Sequence, residues 1–199
     1  MKFFFIISII LFFVACKKTP PIQSVLVSST RDSLTYQPKE QGAKWIYTRN
    51  ALGTLTTYNY ARLATDTILY SNVFNMFNSN IDGLQYIRQD GGKYYNILTA
   101  STNKPALLIL DTSKNIGESW VGGVNGNDIY TYTMKRKIIL DTIIDLIVFK
   151  KMMIVHLERT TGGNTTISGD TYYARGVGHV LTTGLVGGIP VEIRLKKYE

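Results

Sequence analysis

Cysteine and histidine are nearly absent from this chain. Its 199 residues contain one cysteine, Cys16, and two histidines, His156 and His179. A single cysteine excludes an intramolecular disulfide, and a zinc site needs three or four ligands in one cluster. Neither a Gly-x-Ser-x-Gly nor a His-Glu-x-x-His motif occurs. The sequence therefore contains no recognisable reaction centre, and we predict no catalytic residue, no metal site, no cofactor and no enzymatic activity.

Long apolar runs are also scarce, and the one that stands out lies at the N-terminus. Residues 3–14 are apolar except for Ser8, follow the positive Lys2, and end shortly before the polar residues 17–21. A run of this length is too short for a membrane-spanning helix, which takes about 20 residues. It has the length of the apolar region of a secretory signal. We therefore predict a signal peptide over residues 1–15.

The residues that end this run carry a resemblance. Residues 13–16 read Phe-Val-Ala-Cys and resemble the lipobox of bacterial lipoproteins, although the family usually has Leu at the position of Phe13. The resemblance implies that Cys16 carries a diacylglyceryl group. Acyl chains hold a protein firmly to a membrane, because each buried methylene contributes about 0.8 kcal/mol. Residues 16–30 are then a lipid-anchored tether, and the membrane is a partner through this lipid.

The two residues after the cysteine bear on the choice of membrane. In lipoproteins of this kind, an Asp after the Cys often directs retention in the inner membrane, and acidic runs can direct display at the cell surface. Lys17 and Lys18 provide neither signal. By this resemblance we expect the periplasmic face of the outer membrane, with the inner membrane and the cell surface as less favoured alternatives.

Acidic residues are outnumbered by basic ones. The chain has 14 Asp and Glu against 22 Lys and Arg, a formal net charge of +8. Charged residues make up 18% of the chain, below the roughly 25% of ordinary soluble domains. The basic residues are spread widely, and an exported lipoprotein rarely meets nucleic acid. We predict no nucleic-acid partner and expect a basic strand face beside an anionic membrane surface.

Turn signals and alternating runs dominate the rest of the chain. Pairs such as Asp82-Gly83 and Gly187-Gly188 separate stretches rich in Tyr, Ile, Val and Thr, as in antiparallel strands joined by hairpins. In residues 128–140 the even positions are mostly large and apolar, and the odd positions from 131 to 137 are polar, which places the two sets on opposite faces of a strand. We predict one all-β domain over residues 31–199.

The predicted architecture is a single antiparallel curved sheet or half-barrel of about ten strands, with a β-sandwich as the alternative. We expect residues 138–156 to form two long strands around a turn at residues 141–145. Residues 73–77 could hold a short helix.

Three short stretches carry a second resemblance. They are GAKWIY at residues 42–47, GESW at 117–120 and YYARGVGHV at 172–180. Together they resemble uncharacterised envelope lipoproteins with G-x-x-W-x-Y, G-x-x-W and Y-Y-A-x-G-V-G-x-V landmarks. More distantly, the layout is similar to the half-barrel folds of lipoprotein-carrier proteins. This resemblance implies a fold and not an activity, since most of these proteins have no known one.

A curved sheet produces a trough that could bind a hydrophobic ligand, such as a lipid, or a lipidated partner. The inward faces of two tyrosine-rich strands supply the predicted ligand-binding residues, each of which could also be ordinary core: Tyr58, Tyr60, Tyr130, Tyr132 and Met134.

Two other functions stay open from sequence. The protein could be a structural or interaction lipoprotein of an envelope complex, whose closed sheet has no ligand cavity and recruits a protein partner. It could also be a hydrolase if His156, His179 and a carboxylate such as Glu158 shared one cleft. A cavity inside the sheet would favour ligand binding over the interaction lipoprotein.

Overall fold

The computed structural model describes residues 35–97, 105–145 and 147–199. The predicted signal peptide, Cys16 and the tether lie outside these residues. The described part contains fourteen strands and no helix: β1 (Lys44–Ala51), β2 (Thr54–Leu69), β3 (Asn72–Ser79), β4 (Gly83–Asp90), β5 (Lys93–Ile97), β6 (Leu107–Asp111), β7 (Ser119–Asn125), β8 (Asp128–Ile138), β9 (Thr142–Ile144), β10 (Ile147–Phe149), β11 (Met152–Thr161), β12 (Asn164–Ala174), β13 (Gly178–Val186) and β14 (Ile189–Tyr198). Accordingly, none of the described residues forms a helix that could span a membrane.

Twelve of these strands form one antiparallel sheet in the order β6-β5-β4-β3-β2-β1-β14-β13-β12-β11-β8-β7. The sheet curls until its two edge strands meet. There the indole N–H of Trp120 on β7 donates a hydrogen bond of 2.9 Å to the carbonyl oxygen of Leu108 on β6. The result is a nearly closed, barrel-like sheet. The prediction of an all-β curved sheet is confirmed, and the two-sheet sandwich is not what forms.

Alternation along each strand decides which side chains enter the interior. In β8, Tyr132 and Met134 are buried while Lys135 is exposed. In β14, Val191 and Leu195 are buried while Lys196 is exposed. The period-two pattern of the sequence therefore separates core from surface, as expected for strands with one buried face.

Residues 138–156 fold differently from the prediction. The prediction of two long strands around one turn was wrong, because β8 ends at Ile138 and a separate hairpin, β9–β10, precedes β11. Asp145 and Lys151 have left-handed backbones, with φ of 51° and 48°, and this conformation interrupts a strand. The apolar residues of the hairpin then pack as a cover, with Phe149 buried against a core that includes Met152.

Residues 73–77 lie within β3 and form no helix. Val73 is exposed there and Phe74 and Phe77 are buried. The two rings are three residues apart and belong to different clusters, because an odd spacing places side chains on opposite faces of a strand.

Two clusters fill most of the interior. The first contains Trp45, Tyr60, Phe77 and Val180, and the second contains Leu110, Trp120, Tyr132, Met134 and Val155. Trp45 donates its indole N–H to the carbonyl oxygen of Val177 at 2.7 Å. Both tryptophans of the landmark sequences are thus buried rings whose single polar group is satisfied.

The curved sheet has two ends, which we call the base and the tip. The base is the end at which residues 35–43 lead into β1 and at which β14 finishes at Tyr198. The tip is the opposite end, with the turns between β1 and β2, β3 and β4, β7 and β8, β11 and β12, and β13 and β14. The chain reaches the sheet at the base, where the Gly176 N–H donates to the carbonyl oxygen of Thr35 at 2.7 Å.

Candidate functional site

A cavity of about 220 Å³ lies inside the curve of the sheet and is partly open to solvent. Its lining comes from the segment before β1, from the strands around it and from the turn between β3 and β4: Gln37, Tyr47, Tyr58, Tyr60, Asp82, Gln85, Ile87, Asn96, Ile109, Thr171, Tyr173, His179 and Thr182. The exposed Asp82 stands in the β3–β4 turn, so the cavity reaches the tip. Only Ile87 and Ile109 of this set lack a side-chain polar atom.

Three rings stack along one wall of the cavity. Tyr47 on β1 pairs directly with Tyr58 on β2, and their ring centroids are 5.3 Å apart with the planes tilted by 22°. The ring of His179 on β13 lies on the same tyrosine, 5.2 Å away. The Tyr47 hydroxyl donates to the carbonyl oxygen of His179 at 2.9 Å. Strand pairing therefore builds this aromatic wall from opposite ends of the chain.

Several polar atoms of the lining are not used by the protein. Within the described residues, the hydroxyls of Tyr58, Tyr60 and Tyr173 make no hydrogen bond to another residue. The Asn96 side-chain oxygen is buried and likewise has no partner in this part of the chain. An unsatisfied buried polar group costs about 1–3 kcal/mol. A ligand with hydroxyl or amide groups could satisfy these atoms.

Burial keeps the inner tyrosines and the histidine of the cavity wall neutral. Removal from water raises the pKa of Tyr47, Tyr60 and Tyr173 above the usual tyrosine value. The same desolvation lowers the pKa of His179 to about 4. Its imidazole is therefore uncharged at neutral pH, and its Nε2 lies 2.8 Å from the Thr182 hydroxyl. Such a wall favours uncharged ligand groups.

The structure brings together two of the five predicted ligand-binding residues. Tyr58 and Tyr60 line the cavity. Tyr132 and Met134 are buried in the second core cluster, and Tyr130 packs against that cluster, so these three are outside the cavity lining. Ligand binding by any of the five stays a prediction.

Sequence reasoning did not predict Tyr47, Tyr173 or His179 as ligand-binding residues, and it considered His179 only for the hydrolase alternative. A signal was present, since Tyr47 ends the GAKWIY stretch and the other two belong to YYARGVGHV. These stretches were interpreted as structural landmarks only. Tyr47 is two residues from the buried Trp45, and this spacing places both on the same strand face.

The two histidines do not share a cleft. His179 faces the interior, whereas His156 lies on the outer face of β11. There its Nδ1 is 2.6 Å from Asp170 Oδ1 and its Nε2 is 3.3 Å from Ser168 Oγ. Glu158 Oε1 is 3.8 Å from the same Nε2. Among the described residues, no three His, Cys, Asp or Glu side chains are grouped closely enough to hold a metal ion.

In this hydrogen-bonded row His156 lies between Ser168 and Asp170. A nucleophile, a base and an orienting acid are connected in the same way in a catalytic triad. Acyl transfer also needs N–H donors aimed at the developing oxyanion. β12 is paired with β11 on one side and β13 on the other, so the backbone N–H groups next to Ser168 point along the sheet into those ladders. The arrangement is better explained as a hydrogen-bonded polar row on the outer face.

Comparisons with known proteins give two distant structural matches. The sequence matches no protein-family model, and no curated protein is significantly similar to it. One matching solved structure is a candidate exported protein with a YmcC-like fold from Bacteroides fragilis NCTC 9343. It has 14% identity and a TM-score of 0.48, and the match covers 81% of this chain and 97% of that one.

The other is a candidate lipoprotein from Parabacteroides distasonis ATCC 8503, with 14% identity, a TM-score of 0.49, and coverage of 83% of this chain and 99% of that one. The words exported protein and lipoprotein describe those two chains. Likeness at this level carries no conclusion about function.

Proposed function

We propose that this is a lipid-anchored, non-enzymatic envelope protein that binds a small ligand inside its curved sheet. The anchor is the lipid on Cys16, and the location is the periplasmic face of the outer membrane. The short apolar N-terminal run and the lipobox-like Phe-Val-Ala-Cys support the anchor. The cavity inside the sheet supports the ligand.

One observation carries the ligand proposal: stacked rings and unused hydroxyls converge on the same space. Tyr58, Tyr60 and Tyr173 line the cavity, and their hydroxyls have no hydrogen-bond partner among the described residues. Ligand sites combine an apolar wall with a few placed polar groups in this way. An amphipathic ligand with flat apolar faces and several uncharged hydrogen-bonding groups suits this lining.

The residues of the lining change the class of ligand that we expect. An acyl chain or a lipidated partner would favour a wall of aliphatic side chains. Among the described residues, only Ile87 and Ile109 contribute aliphatic side chains to the lining. The cavity of about 220 Å³ is also smaller than the roughly 300–1,000 Å³ of typical ligand pockets. We therefore place a small amphipathic molecule ahead of a long-chain lipid.

A second function is favoured by the surface of the tip. Leu52 and Leu55, beside the turn between β1 and β2, are 74% and 68% exposed. Exposed apolar clusters often mark contacts with another protein. A structural or interaction lipoprotein, which recruits an envelope protein through this tip, is the alternative.

Native mass spectrometry of the mature protein, purified from a bacterial envelope in mild detergent, tests the ligand proposal. We expect a bound small-molecule mass beyond that of the acylated chain, released unchanged on denaturation because no reaction is catalysed. The double variant Tyr60→Phe, Tyr173→Phe removes two cavity hydroxyls and should lower the occupancy several-fold. Tyr132→Phe, which removes a buried hydroxyl outside the cavity lining, is the control.

A wild-type protein that carries no ligand, and binds none when an extract of envelope small molecules is added back, would exclude the ligand proposal. Crosslinking in intact cells would then be the test of the interaction alternative. A bound mass that changes chemically during incubation would contradict the non-enzymatic part.

A further inference from the structure

Lysines are distributed unequally between the two ends of the sheet. Every lysine that the structure describes lies at the base, in the half of a strand next to it, or in a segment joined to it: Lys39, Lys44, Lys93, Lys114, Lys135, Lys137, Lys150, Lys151, Lys196 and Lys197. The turns of the tip carry the acidic Asp82 and, at the start of β8, Asp128. In the described chain, the tip half has only arginines as basic residues, including Arg49 and Arg159. Eight carboxylates also lie in the base half or in segments joined to it: Glu40, Asp66, Asp90, Asp111, Glu118, Asp141, Asp145 and Glu199. The ten lysines outnumber them, so the described base half has a net positive charge and the tip half does not.

Many of the basic side chains at the base are available to an external partner. Lys135, Arg136, Lys150 and Lys151 are exposed where β8 ends and β11 begins. Others are already engaged by the protein itself. Lys196 pairs with Asp145 at 2.7 Å, Lys197 pairs with Glu199, and Lys137 donates to the Thr112 carbonyl oxygen at 2.8 Å.

An exposed aliphatic pair lies among these cations. Ile139 and Leu140 follow β8 directly and are 80% and 79% exposed. The pairing of Ile138 with Met152 brings them close to Lys150 and Lys151, which immediately precede β11. Aliphatic side chains surrounded by cations are typical of surfaces that sit in the interfacial region of an anionic bilayer.

The chain leads toward its proposed lipid from this same end. Thr35 contacts the base through the Gly176 N–H, and residues 17–34 connect it to Cys16. Fully extended, a segment of that length spans at most about 60 Å. The tether would keep the domain close to the membrane without deciding which end faces it, so surface charge decides the orientation.

We propose that the base docks on the anionic phospholipid surface of the membrane that holds the Cys16 lipid. Ile139 and Leu140 enter the interfacial layer, and the surrounding Lys and Arg side chains lie against phospholipid phosphates. This inference rests on the lipid anchor of the proposed function. It directs the tip, and the cavity that reaches it, away from the membrane.

Other occupants fit the observations less well. A second copy of this chain would bring one lysine-rich surface against another, and like charges repel. Apolar exposure alone does not choose an end, since Leu52 at the tip is 74% exposed. The combination of lysines, exposed aliphatic side chains and the attachment side of the chain occurs at the base and favours a bilayer.

The test uses the mature acylated protein in vesicles of phosphatidylethanolamine and phosphatidylglycerol. A Leu140→Cys variant carries an environment-sensitive fluorophore, and acylated Cys16 has no thiol to compete for the label. We expect a blue-shifted emission at position 140 and quenching by spin-labelled lipids. Leu52→Cys, at an almost equally exposed position of the tip, is the matched control and should keep its solvent-like emission.

The second part of the experiment changes the charge of the protein, of the vesicles or of the solution. Lys150→Gln with Lys151→Gln should reduce the blue shift at position 140, and so should pure phosphatidylcholine vesicles or high salt. Thr54→Glu with Thr57→Glu changes the net charge equally at exposed positions near the tip and should leave the shift unchanged.

Three results would overturn the inference. Solvent-like emission at position 140, while the protein floats with the vesicles, shows that docking fails and the anchor holds. A protein that lacks the acyl mass and does not float shows that the anchor itself is wrong. A concentration-dependent shift in detergent without vesicles identifies a second copy as the occupant.

Discussion

His179 is a basic side chain that folding keeps uncharged. It lies inside the sheet, stacked on Tyr47 and 2.8 Å from the Thr182 hydroxyl. Burial lowers its pKa from 6.5 to about 4, so between these values the unfolded chain binds a proton that the folded chain does not. Stability therefore falls as the pH decreases through this window.

The predicted cost of acidification from pH 7 to pH 4.5 through this residue is on the order of 1–3 kcal/mol of unfolding free energy. Urea unfolding at several pH values measures it. A His179→Gln variant should lose this part of the pH dependence. A His156→Gln variant, altered on the outer face, should retain it. Equal pH profiles for wild type and His179→Gln would contradict the assignment.

The tyrosine hydroxyls of the cavity are a second feature of individual residues that can be tested. The Tyr58, Tyr60 and Tyr173 hydroxyls line a partly open cavity and are not among the buried polar atoms without a partner, so either water or a ligand can satisfy them. For this reason the binding test substitutes Tyr60 and Tyr173. The control substitutes Tyr132, whose ring stacks on Trp120 at 5.7 Å, and measures the effect of removing a hydroxyl from the core.

At the scale of elements, the sheet closes between β6 and β7 beside a bulged stretch of β7. The register between β7 and β8 skips at Gly122, which forms a β-bulge between Val121 and Gly123. A Cβ at Gly122 would lie 2.3 Å from the Tyr132 ring and 2.7 Å from the Leu108 carbonyl oxygen. Only glycine lets the two edge strands approach this closely.

Gly122→Ala should therefore destabilise the fold by about 1–3 kcal/mol, the usual cost of overpacking. Chemical denaturation measures the loss, and the fluorescence of Trp120 reports on the edge. Gly126→Asn is the control, because Gly126 has a φ of 62° and a Cβ there would meet no atom within 4 Å, and asparagine tolerates that conformation. Unchanged stability in Gly122→Ala would mean that the edges are not held together at this point.

The β9–β10 hairpin acts as an external cover. It is attached by the burial of Phe149 and by Asp145, which pairs with Arg194 and Lys196 on β14. Ion pairs at partly exposed positions contribute about 0–1 kcal/mol, so the buried ring provides most of the attachment.

For the whole molecule, the proposed anchor and the asymmetric charge together predict one orientation. If the lysine-rich base faces the membrane, the tip and the exposed Asp82 face away from it. A ligand then enters from the aqueous side, which agrees with the polar lining of the cavity and argues against direct extraction of a membrane lipid.

The proposed anchor predicts that lipid labelling of the protein depends on Cys16. Growth with an alkyne analogue of palmitate should label the wild-type protein, and Cys16→Ala should abolish the label because no other thiol exists. Thr19→Ala, three residues further along the predicted tether, should be labelled normally. Label on the Cys16→Ala protein, or none on the wild type, would refute lipidation at this position.

Local patterns determined much of the architecture in advance. The two-residue alternation in residues 128–140 predicted the strand β8 and its inward face, because side chains on successive strand residues point to opposite sides whatever the strand pairs with. The same reasoning, with frequent turn signals, predicted one curved antiparallel sheet. It undercounted the strands because short ones, such as the three-residue β9 and β10, leave no periodic signal.

Tertiary structure alone decided where an inward-facing side chain ends up. Tyr60 and Tyr132 occupy equivalent positions in the alternation and both belong to core clusters, yet only Tyr60 also lines the cavity. The difference arises from partners far along the chain, such as His179 beside Tyr47, and from bulges such as the register shift between Tyr172 and Tyr173. A one-residue shift exchanges the faces of all later residues in a strand. Alternation therefore determines the existence of an interior, and long-range pairing determines which part of it stays open.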